Sequence, residues 1–176
     1  MATATTWVID PTHSEIQFKV KHLVISTVTG SFKTFEGTVE SETEDFDGAK
    51  VSFSADTTSI DTNQAQRDEH LKSGDFFDSV TYPKISFTGI LVGTGDESFT
   101  LKGDLTVKDI TKPFTFAVEY GGNMTDFYGN NKAGFEITGK INRKEFGLEW
   151  SAVTEAGGVV VGDEVKLIAN IQVVKQ

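Results

Sequence analysis

The chain of 176 residues contains no cysteine at all. That excludes a disulfide framework, thiolate catalysis, and zinc or iron–sulfur sites built on cysteine. Long apolar runs are also missing: stretches such as Gly158-Val159-Val160-Val161 are a handful of residues, too short to span a bilayer as a helix. Basic residues are scarce, 16 Lys and Arg against 26 Asp and Glu, for a net charge of −10. A surface of that sign repels phosphate backbones, and no local basic patch offsets it, so nucleic acid is not an expected partner. The opening Met1-Ala-Thr-Ala-Thr-Thr-Trp7 has neither the basic start nor the apolar stretch of a secretory leader. A cytoplasmic location is therefore expected, with the periplasm or secretion as the alternative if a leader was removed and Met1-Ala2 stands in its place.

What the chain does contain is phenylalanine and glycine, 14 and 17 residues respectively, in a strongly alternating arrangement. Ile16-Phe18-Val20 alternate with Glu15, Gln17 and Lys19. The same period of two returns at Phe35-Gly37-Val39, Val51-Phe53-Ala55, Ile85-Phe87-Gly89-Leu91 and Phe99-Leu101-Gly103-Leu105-Val107. It continues through Phe114-Phe116-Val118-Tyr120 and Phe135-Ile137-Gly139-Ile141, and ends with Val165-Leu167-Ala169-Ile171-Val173. Period two with one apolar face is the mark of antiparallel strands. Turn clusters such as Asp45-Phe46-Asp47-Gly48, Gly93-Thr94-Gly95-Asp96 and Gly121-Gly122-Asn123 separate the runs. About eight strands in a single domain, 1–176, are expected. One segment breaks the period: Asn63 to Ser73 is rich in helix formers, with Asp61 or Thr62 available as N-cap and Gly74 as a stop. Leu71 is its lone large apolar residue, so this short helix belongs on the outside or rim, with Phe76 and Phe77 able to anchor it.

Strand length and glycine placement favour a closed barrel over a sandwich. Several runs exceed the usual five or six residues. Gly37, Gly89, Gly103 and Gly139 all share the parity of the apolar face, flanked by bulky inward residues. A mid-strand glycine packs nothing, so it either lets a closing sheet bend or leaves room inside for a ligand. An eight-stranded barrel can fill itself or hold one small ligand.

No catalytic apparatus is visible. The histidines, His13, His22 and His70, form no metal-binding pair. Glu40, Glu42, Glu44, Asp45 and Asp47 lack the spacing of a calcium loop and read as a solvated hairpin tip. Neither a Gly-x-Ser-x-Gly elbow nor a phosphate-cradling glycine loop is present. Two polar residues share the inward parity, His22 after Val20 and Arg143 after Ile141. Each falls at a strand end, where it could orient a ligand's head group or simply pair with a carboxylate such as Asp68, Asp75 or Glu145.

Taken together, these pieces resemble the YceI-like family of polyisoprenoid-binding proteins. The resemblance rests on Trp7-x-Ile9-Asp10-x-x-His13-Ser14-x-Ile16-x-Phe18-x-Val20-x-His22 and Gly30-x-Phe32-x-x-Phe35-x-Gly37. It continues in Arg67-Asp68-x-His70-Leu71-x-x-x-Asp75-Phe76-Phe77, Tyr82-Pro83-x-Ile85-x-Phe87, Gly103-x-Leu105-Thr106, Thr111-Lys112-Pro113 and Asn142-Arg143-x-x-Phe146-Gly147-Leu148-x-Trp150. It implies an all-β, closed antiparallel, lipocalin-like barrel with one short helix, and an interior that binds an amphiphilic isoprenoid lipid, polyprenyl or quinone, for transport or buffering. A homodimer is a further option it implies; catalysis and a resident cofactor are not expected. The residues expected to meet the ligand are Phe18, Val20, His22, Phe35, Gly37 and Phe53 in the first half. In the second half they are Phe87, Gly89, Phe99, Leu101, Gly103, Phe116, Phe135, Ile137, Gly139, Arg143 and Trp150. Two other readings stay open: an enzyme acting on a bound apolar substrate through His22 or Arg143, and a stress-related interaction protein whose barrel is filled and whose helix surface meets a partner.

Overall fold

The structure is a computed structural model and describes residues 5–22, 26–42, 46–74, 76–95, 97–148 and 161–176. The alternating runs become strands β1 (Thr5–Ile9), β2 (Glu15–His22), β3 (Ser26–Phe32), β4 (Phe35–Ser41), β5 (Lys50–Asp56) and β6 (Ile60–Asp61). After helix α1 (Ala65–Lys72) come β7 (Lys84–Gly95), β8 (Ser98–Val107), β9 (Ile110–Thr125), β10 (Asn131–Asn142) and β11 (Val161–Lys175). Neighbours run antiparallel in the order β1-β4-β5-β7-β8-β9-β10-β11, and a pairing of β11 with β1 closes these eight strands into a ring. The expected closed barrel is therefore present, all-β apart from its single helix.

Closure depends on the length of β11. Its last turn of residues pairs with β1, Val173 opposite Ile9 and Lys175 opposite Trp7. Its earlier part pairs instead with β2, Leu167 opposite Phe18 and Ala169 opposite Ile16. Between β1 and β2 the chain breaks its extension in a 3₁₀ turn, Pro11–His13, capped by the Asp10 carboxylate, which accepts from the Thr12 N–H. From β2 the sheet then continues outward as a short arm, β2-β3-β6. Around Phe35-Gly37-Val39 the chain thus divides into two strands at Lys33 and Thr34, β3 joining the arm and β4 the ring.

The helix is shorter than the Asn63–Ser73 expected, and Gln64, with no side-chain cap, occupies its N-cap. Thr62 turns its N–H and hydroxyl to the Asp68 carboxylate instead, at 2.8 and 2.5 Å. Arg67 closes the same knot by donating to the Thr62 hydroxyl and carbonyl, at 2.8 and 2.6 Å. These bonds tie the helix start to the end of β6. No helix residue is fully buried; Leu71 is the one that packs against the apolar interior.

Two apolar clusters fill the interior. The larger includes Trp7, Phe46, Phe87, Leu101, Phe116, Phe135 and Val173. The smaller, Phe18, Phe32, Ala55 and Ile60, fills the seam between the arm and strand β5 of the ring. Among the described residues no helix is long and apolar enough to cross a membrane.

Candidate functional site

The barrel encloses a cavity of about 220 Å³ whose walls are almost wholly apolar. Most of the strand residues on the wall share the inward parity of their strands, because successive side chains on a strand point to opposite faces. Phe18 and Val20 from β2, Phe53 from β5 and Phe87 from β7 line it, as do Leu101 from β8, Phe116 from β9, and Phe135 and Ile137 from β10. Leu71 of the helix and the following Phe76 and Phe77 complete one side of the wall.

Other expected residues take different places. Phe35 packs on Phe53, ring centroids 6.4 Å apart, in the seam. Phe99 is buried against Tyr120, centroids 6.3 Å apart, behind the cavity wall. Neither is among the residues lining the cavity. The side chain of His22 and the whole of Trp150 lie outside the described residues.

The four inward glycines do not line the cavity either. A Cβ on Gly139 would sit 2.7 Å from the ring of Phe116 and 3.0 Å from that of Phe114, so these phenylalanines already use its space. Gly103 lies opposite Gly89 across the β7–β8 pair. There a Cβ would come within 2.0 Å of the Thr88 carbonyl oxygen, which shows backbone pressed closely against backbone. At both positions the space above the glycine is already taken, by rings at Gly139 and by backbone at Gly103. The cavity is walled instead by phenylalanines together with a larger number of Ile, Leu and Val side chains.

Among the described residues, Arg143 is the one ionisable side chain on the cavity wall. It is 2% exposed and opens the 3₁₀ turn Arg143–Phe146, capped by Asn142. Its guanidinium donates to the Leu148 carbonyl, lies 3.8 Å from the Asp163 carboxylate and sits 6.0 Å from the centre of the Phe76 ring. Burial draws its pKa below the ordinary arginine value, and the Asp163 charge partly restores it. Asp163 is thus one ion-pair partner, which the sequence reading did not name; Asp75, considered there, lies outside the described residues.

The opposite end holds a residue that the sequence pattern disguised. Phe46 lies in an acidic turn cluster, yet it is 1% exposed. Its ring meets Trp7 at 5.1 Å, Phe135 at 5.1 Å and Tyr120 at 5.7 Å, and it does so from a left-handed backbone with φ of 64°. Two local bonds hold this turn in place: Gly48 N–H to the Leu91 carbonyl, 2.7 Å, and Gly93 N–H to the Asp47 carboxylate, 2.9 Å. Phe46 is therefore an aromatic plug. The signal available in sequence was only a lone aromatic among acids.

One surface trio has the residue types of a catalytic relay. His13 Nδ1 lies 2.7 Å from the Asp10 carboxylate and 3.2 Å from the Thr12 hydroxyl, and that hydroxyl also meets Asp10 at 2.7 Å. A relay needs the two ring nitrogens to serve different partners, base on one side and orienting acid on the other. Here both partners face the same nitrogen, which makes the trio a turn cap. Its hydrogen bonds from His13 and Thr12 hold the Asp10 carboxyl well below the usual carboxylate range. Among the described residues, no three His, Asp or Glu side chains converge as a metal would require.

A family description, the YceI-like domain, matches residues 7–173. The chain belongs to the YceI-like family. A UPF0312 protein of Staphylococcus aureus strain USA300 is 38% identical over 169 residues, 96% of each chain. The Campylobacter jejuni YCEI protein, known from a crystal structure, is 29% identical with a TM-score of 0.74, over 89% of this chain and 90% of that one. Two more distant crystal structures share the fold. Burkholderia cenocepacia BcnA does so at 20% identity and a TM-score of 0.81, covering 93% and 98% of the two chains. A polyisoprenoid binding domain from Saccharophagus degradans does so at 13% identity and a TM-score of 0.69, covering 97% and 98%. In this YceI-like chain the motif residues divide between wall and support. Ile9, Ile16, Phe18 and Leu148 line the cavity, whereas Trp7 and Phe146 are buried in the surrounding core.

Proposed function

We propose that this protein binds a long-chain isoprenoid lipid, of polyprenyl or isoprenoid-quinone type, inside the barrel and carries or buffers it. The observation that carries the reading is the barrel cavity, with apolar walls drawn chiefly from β2, β5, β7–β11 and the helix segment. At about 220 Å³ it is small, below the ~300–1,000 Å³ common for compact drug-sized ligands. Each methylene moved from water into such walls contributes about 0.8 kcal/mol, so a chain gains affinity with every carbon the cavity takes in, before the costs of association. Binding then follows from chain length, with Arg143 as a charged wall group able to discriminate between heads. The printed name of the Saccharophagus degradans domain, polyisoprenoid binding, is in keeping with this reading.

Filling the cavity tests it. Ala169 is a small wall residue of β11, and Ala169→Phe places a ring in the cavity. The expected result is at least a tenfold loss of affinity for a polyprenol, about 1.4 kcal/mol, with the folded barrel retained by circular dichroism. Unchanged polyprenol affinity in the folded variant would place the lipid elsewhere.

A further inference from the structure

Beyond the cavity, the β9–β10 hairpin carries an unusual surface. Pairing of β8 with β9 ends at Ser98 opposite Glu119, but β9 runs on to Thr125 with β10 as its partner, so the hairpin projects past the rim. At its tip Phe127 is 98% exposed, Tyr128 87% and Met124 63%. The two rings touch edge-on at 5.9 Å and do not fold back onto the barrel. The backbone beneath them is fixed: the Asp126 carboxylate accepts from the N–H groups of Tyr128 and Asn130, both at 2.9 Å, and Asp126 N–H donates to the Asn130 carbonyl at 2.8 Å. The hairpin carries one acid and one base, Asp126 and Lys132, 3.4 Å apart, and Lys132 also lies 3.5 Å from Asp10 of the β1–β2 turn.

We propose that this hairpin tip is a docking element for a zwitterionic lipid bilayer. Three facts select that occupant. A convex tip of three large side chains falls well short of the roughly 1,200 Å² that a stable protein interface buries, whereas a bilayer accepts any convex apolar shape. Phenylalanine and methionine suit the acyl boundary, and tyrosine, apolar in body and polar at its end, suits the head-group level. A locally neutral tip on a chain of net charge −10 gains nothing from anionic lipids and is repelled by them at longer range. Strand pairing with a second copy is disfavoured, because the free edge of β9 is short and Gly122 breaks its extension with φ of 107°. The surface is separate from the cavity, and its docking stands or falls apart from the cavity's ligand.

The test is flotation with phosphatidylcholine vesicles, with native mass spectrometry of the same samples. Wild type is expected to float with the vesicles to an extent that high salt does not reduce. The double variant Phe127→Ser/Tyr128→Ser removes two side chains that contribute nothing to the core, and its partitioning is expected to fall by at least about tenfold. Val80→Ser, which changes the 96%-exposed valine in the loop after α1, is expected to partition as wild type does. Failure of wild type to float, or equal flotation of the double variant, overturns the proposal. So does a wild-type dimer that the double variant converts to monomer, which would make the tip a contact between copies. A wild-type chain that floats but carries no lipid by mass upholds the hairpin and counts against the cavity reading alone.

Discussion

The ring and the arm are built from the same alternation of apolar and polar residues, yet they hold themselves together differently. In the ring every strand has two hydrogen-bonded neighbours, and closure is secured by β1 against the end of β11. In the arm the last strand is the two-residue β6, and the seam toward β5 is filled chiefly by Phe18, Phe32, Ala55 and Ile60. Side chains across a seam separate at lower cost than a continuous backbone ladder, so local opening belongs to the arm and global stability to the ring. The helix segment follows the arm, and its Leu71, Phe76 and Phe77 form cavity wall. The difference therefore bears on the cavity: one side of its wall, Leu71, Phe76 and Phe77, lies outside the ring's strand ladder.

The largest expected effect lies within the ring. Gly103→Val would drive a side chain into the Thr88 carbonyl, 2.0 Å from the Cβ position, and is expected to cost more than about 3 kcal/mol in urea unfolding. Gly74, with open space around its Cβ position, serves as control: Gly74→Ala is expected to stay within about 0.5 kcal/mol. Equal stability of the two variants would remove the claim that the inward glycines are required by close backbone approach.

Next comes a direct contrast of the two regions. Phe46→Ala unplugs the ring and is expected to lower global stability by about 3–5 kcal/mol. Phe32→Ala, in the seam, is expected to shift the global midpoint less and to speed amide exchange in β6 and α1 while β8 and β9 keep their protection. Exchange that accelerates evenly across all strands would make ring and arm one cooperative unit.

The smallest effect concerns the hinge turn between β1 and β2. Because the folded carboxyl of Asp10 titrates below its unfolded value of about 3.9, its stabilisation is full above that pH and is lost as pH falls through the folded value. Asp10→Asn is expected to cost roughly 1 kcal/mol at neutral pH, allowing for its hydrogen bonds and its place at the surface. Denaturation curves of wild type and variant should converge in strong acid. A gap that stays constant with pH would mean that the turn is held by shape and not by the charge.

Much of the ring was legible before the fold was seen. Runs such as Phe114-Phe116-Val118-Tyr120 state both strand and inward face, because period two leaves no other amphipathic solution. The motifs likewise marked wall residues such as Phe18 and Phe87. Three features were hidden, each for a physical reason. The division at Lys33 and Thr34 is set by which neighbour each half meets, and nothing local records that. Phe46 sits in a cluster whose Asp and Gly neighbours speak for solvent, while its burial depends on Trp7 and Phe135 far along the chain. The glycines had the correct parity, but parity does not say what occupies the space above them. At Gly139 the occupant is a pair of rings from the adjacent β9.

The central claim is that the barrel interior holds an isoprenoid chain. Native mass spectrometry of the protein purified from its own host, followed by organic extraction, tests it most directly. The account predicts a discrete adduct that extracts as a polyprenyl lipid or isoprenoid quinone and that is lost in Ala169→Phe. A clean mass for the bare chain would contradict it, as would an adduct that survives in that variant.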